Sequence, residues 1–165
     1  MSDGLIEALI TRLAEAEVEF IIVGGTAAVL HGAPLVTKDL DIVHRRTPEN
    51  IERLLAVLRT VDAIKRADSR QLRPTSSWFL GRGHILLDTK DGPLDVLCEF
   101  EPGEDYDWLA PRSVRIAQGS RSILVVDLPT LIELKTRAGR PKDRMALPIL
   151  VATLEEQTRG AKLPP

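Results

Sequence analysis

The 165-residue sequence predicts an α/β (α+β) fold: a small mixed or antiparallel sheet carrying acidic side chains on one face, with helices packed on the other. Three observations carry that prediction. Short apolar runs of strand length, Phe20-Ile21-Ile22-Val23 among them, are bounded by glycines or turn residues. Leu5, Ile6, Leu9, Ile10 and Leu13, and later Leu128, Leu131 and Ile132, recur at helical spacing. Asp91-Gly92, between apolar segments at 85–88 and 94–100, is a hairpin signal. At this length one core is expected, so residues 1–159 are read as a single domain and 160–165 as a frayed end.

The elements follow in order. An amphipathic helix opens near Asp3. Strand 20–23 ends at Gly24-Gly25, and 26–30 reads as a short helix closed by His31-Gly32-Ala33-Pro34, with Gly32 placed for a left-handed cap. A second strand covers 39–43. Thr47-Pro48 then starts a helix, threonine as N-cap and proline at the first helical position, with Ile51, Leu54, Leu55 and Leu58 as its buried stripe. From 61 to 83 no period is legible. That stretch holds Lys65, Arg66, Arg70 and Arg73 and reads as a loop with short irregular structure. The Asp91-Gly92 hairpin comes next, then a second, 113–116 with 123–126, through Gly119. Asp127 caps a helix that ends by Gly139. The last helical pattern, about 142–156, contains Pro148; proline removes a hydrogen bond and crowds the preceding turn, so a kink or two short helices are expected.

Composition bounds the function classes. Hydrophobic content of 44% with 28% charged residues fits an ordinary globular protein rather than a disordered one. A net charge of -2 makes no global case for a nucleic-acid partner, although a local basic patch suffices for one. No stretch approaches the roughly 20 apolar residues of a membrane span, and the N-terminus shows no basic-then-apolar leader. A single cysteine, Cys98, excludes an intramolecular disulfide and reads as a small buried apolar residue. A cytoplasmic location is expected.

The chemistry concentrates in the acids. A strand places residues i and i+2 on one face, roughly 6–7 Å apart, so Asp39 and Asp41 point the same way while Leu40 and Ile42 point into the core. Like charges on a buried strand are costly unless a cation lies between them, and a divalent metal is the usual answer. The Gly24-Gly25 turn lets a phosphate approach backbone amides near a helix start. Thr26 either caps that helix or touches a phosphate. Together these point to a nucleotide with its magnesium. A two-residue turn at Asp91-Gly92 sets Asp88 opposite Asp95, so either Asp88 joins the metal site or another register points it elsewhere, the second reading being preferred. Lys135 occupies the i+7 slot of the stripe begun by Leu128, where a lysine snorkels to solvent or meets an anion. Arg137, Arg140, Lys142 and Arg144 extend a positive rim or are ordinary surface charge. His31, His44 and His84 show no metal-ligand spacing.

Val23-Gly24-Gly25 followed by Asp39-Leu40-Asp41, with Leu94-Asp95-Val96, Lys135 and Arg140-Pro141-Lys142-Asp143, resembles the DNA polymerase β-like nucleotidyltransferases, especially their small prokaryotic members. The resemblance covers most of the chain. It implies a nucleotidyltransferase fold and Mg²⁺-dependent transfer of a nucleoside monophosphate from an NTP such as ATP to an acceptor, releasing pyrophosphate. It implies two Mg²⁺ ions, with Asp39 and Asp41 holding both, and Asp95 ligating the one that activates the acceptor hydroxyl. Lys135 would face the phosphates, and Gly24, Gly25 and Thr26 would line the nucleotide. Within that group the chain looks most like stand-alone enzymes of toxin–antitoxin and abortive-infection systems. The implied acceptor is then tRNA, another RNA end or a protein, with an antitoxin as partner; a small-molecule acceptor such as an antibiotic uses the same chemistry. The rival reading is a degenerate domain that binds nucleotide or a partner as a regulator or antitoxin. One departure stands out: small members place an arginine shortly before the Asp-x-Asp strand, where this chain has Leu35-Val36-Thr37-Lys38, so that Lys38 or Arg45-Arg46 is the substitute.

Overall fold

The computed structural model describes residues 2–162. In chain order the elements are α1 (Ser2–Glu15), β1 (Phe20–Val23), α2 (Gly24–Leu30), β2 (Leu40–His44), α3 (Pro48–Thr60) and β3 (Ile64–Lys65). They continue with β4 (His84–Thr89), β5 (Gly92–Leu97), α4 (Tyr106–Leu109), β6 (Ser113–Gln118), β7 (Arg121–Val126), α5 (Leu128–Ala138) and α6 (Pro141–Lys162). Short 3-10 turns lie at Ser76–Leu80 and Ala110–Arg112.

The seven strands form one mixed sheet in the order β3-β4-β5-β2-β1-β7-β6. β1 runs antiparallel to β2 and parallel to β7, while β2 runs parallel to β5. The two hairpins, β4–β5 and β6–β7, extend the sheet on either side. The central strands are apolar because both their faces are covered. Ile21, Ile22, Leu40, Ile42, Leu94, Val96 and Val125 have no solvent exposure. Strand alternation puts Leu40, Ile42, Leu94 and Val96 on one face and Asp41 and Asp95 on the other. α1 lies over the first face, where Leu5 stands 4.0 Å from the position of a Cβ on Gly92 and Leu9 and Leu13 are fully buried. The acidic face is cupped by α5 and the start of α6, which supply the facing wall of a cleft.

The sequence signals for helix ends hold. The Thr47 side chain accepts from the Asn50 amide at 3.3 Å, and Asp127 accepts from the Thr130 amide at 2.8 Å. Gly139 closes α5 at φ +61°, and Gly32 stands at φ +89°. Three expectations are corrected. α6 runs unbroken through Pro148 to Lys162, beyond the point where the end was expected to fray; residues 163–165 of that segment lie outside the described residues. Pro148 and Arg144, whose carbonyl it leaves without a helical donor, are both exposed, so water meets that group, while buried Leu150 and Asp143 pin the helix on either side of it. The 61–83 stretch is more ordered than its pattern suggests, with β3 pairing onto β4 and Phe79 fully buried. Finally, the β4–β5 turn is Lys90-Asp91 rather than Asp91-Gly92, because Thr89 pairs with Gly92. Asp91 is drawn onto α1 by Arg12 at 2.8 Å, and Gly92 takes φ +107° as the first residue of β5.

Candidate functional site

The site grows from the end of β1. Val23 pairs with Asp41, and Asp41 pairs with Asp95 across the parallel β2–β5 ladder, so both carboxylates share one face in direct register. Gly24 follows at φ +65°, a left-handed conformation that favours glycine. A Cβ on Gly24 would collide with Oδ2 of Asp41. Its lack of a side chain is what admits the carboxylate, a role the sequence reading had given only to an approaching phosphate. A Cβ on Gly25 would stand 2.9 Å from the Thr37 hydroxyl. Gly24→Ala should therefore cost at least about 1–2 kcal/mol from the backbone alone, plus the displacement of Asp41. Urea unfolding of Gly24→Ala in the wild-type and Asp41→Ala backgrounds separates the two: a smaller loss in the second is the collision term.

Asp39 precedes β2, and its carbonyl accepts from two threonine hydroxyls, Thr26 at 3.0 Å and Thr37 at 3.1 Å. Thr26 is buried and does not cap α2, whose N-cap residue Val23 has no side-chain bond. Its hydroxyl holds the chain that carries Asp39. The Asp41 carboxyl is pushed up to about 7, first by burial, then by the charge and hydrogen bonding of Asp95 and by the charge of Asp39; Lys142 opposes the rise. A carboxyl raised in this way keeps its proton to higher pH than an ordinary aspartate, which lessens the repulsion among these acids. Among the described residues no three acids close into a metal-holding cluster as they stand. The donor set is nonetheless all hard carboxylate oxygen, crowded enough to be short of positive charge, which suits a divalent cation such as Mg²⁺.

Asp88 lies on the same face as Asp95 but two pairs along, opposite Pro93, because of the shifted turn; Leu86 is the residue opposite Asp95. Asp88 accepts from Nε of Arg66 at 3.0 Å. Nη2 of the same guanidinium stands 2.8 Å from Oδ1 of Asp95 and donates one of its two N–H groups to the Leu87 carbonyl, also at 2.8 Å. The Asp95 contact is thus a charge pair in which Oδ1, a buried atom, accepts no directed hydrogen bond. Sequence reasoning gave Arg66 no role: β3 is two residues long and carries no periodic signal.

The cleft over Asp41 and Asp95 encloses about 350 Å³, within the range of small-molecule sites. Its opposite wall carries Lys135, Arg137, Arg140 and Lys142. Lys135 does meet an anion, but a protein one: Nζ lies 3.2 Å from Oδ1 of Asp143, a residue with no solvent exposure. Asp143 also accepts from Nε of Arg140 at 2.7 Å and reaches back to the Arg140 amide at 3.3 Å, closing the first turn of α6. Burial pushes the Asp143 carboxyl up, but the hydrogen bonds from Arg140 and Lys135 outweigh it and leave it below the ordinary range. Arg137 is held by Glu104 at 2.6 and 2.8 Å. Among the described residues Lys142 has no such ion-pair partner, and it is the cation whose charge acts on Asp41. Arg45 and Arg46 lie away from the cleft, on Glu19 with Asp107 and on Glu99 with Asp105, so neither replaces an arginine before β2.

No protein-family model matches the sequence, and no curated protein does. Solved structures match the fold. The antibiotic-resistance factor ANT(2'')-Ia aligns with a TM-score of 0.60 at 15% identity, over 92% of this chain and 83% of its own. A proposed nucleotidyltransferase from Thermotoga maritima, TM1012, aligns with a TM-score of 0.54 at 17% identity, over 88% of this chain and 89% of its own. The chain has the nucleotidyltransferase fold.

Within this nucleotidyltransferase fold, Gly24, Asp41, Asp95 and Lys135 meet at one cleft. Asp39 and Gly25 stand beside it in the chain, and Thr26 supports it from below. Cys98 is buried, and no described helix is long and apolar enough to cross a membrane.

Proposed function

We propose that the protein is a Mg²⁺-dependent nucleotidyltransferase that moves a nucleoside monophosphate from an NTP to an acceptor hydroxyl. The observation that carries this reading is the Asp41–Asp95 pair, in register, mutually repelling, and facing a cleft whose other wall is cationic. Asp39, Asp41 and Asp95 would hold two Mg²⁺ ions. When bound, such ions neutralise phosphoryl charge and make the acceptor hydroxyl more acidic. The chain's own residues supply the rest. Gly24 admits Asp41 to the floor of the site, and Gly24-Gly25 leave the backbone bare beside the triphosphate. Lys135 and Lys142 offset triphosphate charge from the opposite wall. The acceptor oxygen attacks the α-phosphorus, the bond to the β,γ-pyrophosphate breaks, and the acceptor's proton passes to Asp95 or to solvent.

For the acceptor, an RNA end such as tRNA or a protein hydroxyl is the reading we adopt, in a toxin–antitoxin setting with an antitoxin partner. The fold shared with an antibiotic-resistance factor favours a small-molecule acceptor such as an antibiotic as the second reading. The degenerate-regulator alternative is disfavoured by the presence of all three acids around the cleft.

Incubation with Mg²⁺, each α-labelled NTP and a panel of RNA, protein and antibiotic acceptors tests the proposal. Pyrophosphate release with label on one acceptor class is the expected result. Nucleotide binding with no pyrophosphate release across the panel would establish the regulator instead.

A further inference from the structure

Asp95 is unusual among the site acids in having one oxygen, Oδ1, that is buried and receives no directed hydrogen bond from any described residue. What stands against it is the guanidinium of Arg66 at 2.8 Å. The side chain as a whole keeps 17% exposure and lines the cleft, so its opening is on the side away from Oδ1, toward Asp41. The final torsion of an aspartate is broad and roughly two-fold, so an unanchored carboxylate presents either oxygen in a range of directions. A cation fixed behind one oxygen removes that freedom.

Arg66 is built for this. Its amide donates to the Leu86 carbonyl at 2.9 Å, extending by one position the cross-strand row Val23, Asp41, Asp95, Leu86. The guanidinium reaches over Leu86 and is held by Asp88 through Nε at 3.0 Å and by the Leu87 carbonyl through Nη2 at 2.8 Å. A rigid planar fork can satisfy these directions together; a lysine ammonium cannot reproduce them from one point.

We propose that Arg66, locked by Asp88 and the Leu87 carbonyl, is a positioning residue that fixes Asp95 through Oδ1 and so aims the rest of its carboxyl group at Asp41 and the cleft. This assigns Asp88 too: it belongs to the site as the anchor of Arg66. The inference rests on the nucleotidyltransferase reading, since what Asp95 is aimed at is the divalent cation between the acids.

The test is calorimetric titration of Mg²⁺ alone into the metal-free wild type and into Arg66→Gln, Arg66→Lys, Asp88→Asn and the Arg66→Gln/Asp88→Asn double variant. Circular dichroism checks each fold. Loss of an outer partner of a metal ligand typically weakens metal binding by about 10–100-fold, and Arg66→Gln should fall in that range. Arg66→Lys should recover part of the loss and Asp88→Asn should lose less, in the same direction. The double variant should bind no more weakly than Arg66→Gln, because the two act in series. In turnover, kcat should fall with little change in KM for the NTP. A folded Arg66→Gln that binds Mg²⁺ like the wild type overturns the positioning role and leaves the proposed function standing. Should Arg66→Gln not fold, wild-type affinity in both Arg66→Lys and Asp88→Asn overturns it equally. A wild type that binds no divalent cation overturns the proposed function, and this inference with it.

Discussion

Asp41→Asn should abolish nucleotidyl transfer while making the metal-free protein more stable above neutral pH. The two effects have one cause. Asp41 is raised to about 7 by burial, Asp95 and Asp39, so the folded protein holds its proton more tightly than the unfolded chain, whose carboxyl titrates near the ordinary aspartate value of 3.8. Between those values the native state binds more protons. Stability is therefore full below about pH 4, falls as pH rises through the window, and reaches its floor above pH 7. The charged form at pH 8 costs the native state on the order of 4 kcal/mol. Asparagine has the same shape and carries no charge at any pH, so it removes the like-charge repulsion with Asp95.

The measurement is melting temperature against pH without metal. The wild type should lose roughly 5–10 °C between pH 5 and pH 8, and Asp41→Asn should lose far less. Adding Mg²⁺ at pH 8 should raise the wild-type melting temperature and leave Asp41→Asn almost unmoved, because a ligand stabilises only the state it binds. Turnover of the variant should fall by roughly 10²–10³-fold or more, the scale seen when a group that stabilises transition-state charge is removed. Near-normal turnover with a flat melting profile in both proteins would show the acid pair to be structural.

The parts of this fold that were legible in the sequence are those whose signal is local. β1 and the helix caps at Thr47, Asp127 and Gly139 carry their own chemistry, and structure and sequence agree on them. Strand alternation in β2 turns Asp41 away from Leu40 and Ile42, while the place of Asp95 beside it was implied only by the family resemblance and rests on the β2–β5 register. What was illegible depends on contacts between distant segments. β3 is two residues long, and it exists because Arg66 and its neighbours find β4. The hairpin turn moved by one residue because Arg12, 79 positions away, holds Asp91. Thr37 was missed beside Asp39 because nothing in its spacing marks it. Lys135 read as a lysine that either snorkels to solvent or meets an anion, and the partner it finds is a buried carboxylate on the next helix.

That last contact changes what Lys135→Ala should do. Alanine keeps helix propensity, so α5 itself should persist. Asp143, however, is fully buried and would keep only Arg140 as a charge partner. Removing one partner of a buried ion pair destabilises because the other charge stays behind, and with Arg140 still in place a loss of about 1–3 kcal/mol is expected. The pH dependence gives the signature. Asp143 is held below its ordinary value, so its contribution is present above the unfolded value and is lost as pH falls through the folded one. Without Lys135 that folded value rises, and acid unfolding of Lys135→Ala should begin at higher pH than in the wild type. Lys135→Ala/Asp143→Asn then divides structure from catalysis. Asparagine can still accept from the Arg140 amide, and it leaves no orphaned charge, so the double variant should regain most of the lost stability. If Lys135 also serves the triphosphate, that stable double variant should remain impaired, with KM for the NTP raised or kcat lowered according to whether the ammonium acts on the ground state or the transition state. Recovery of wild-type kinetics together with stability would show that Lys135 does nothing at this cleft beyond holding Asp143, and the phosphate role would pass to Lys142, the cation that acts on Asp41.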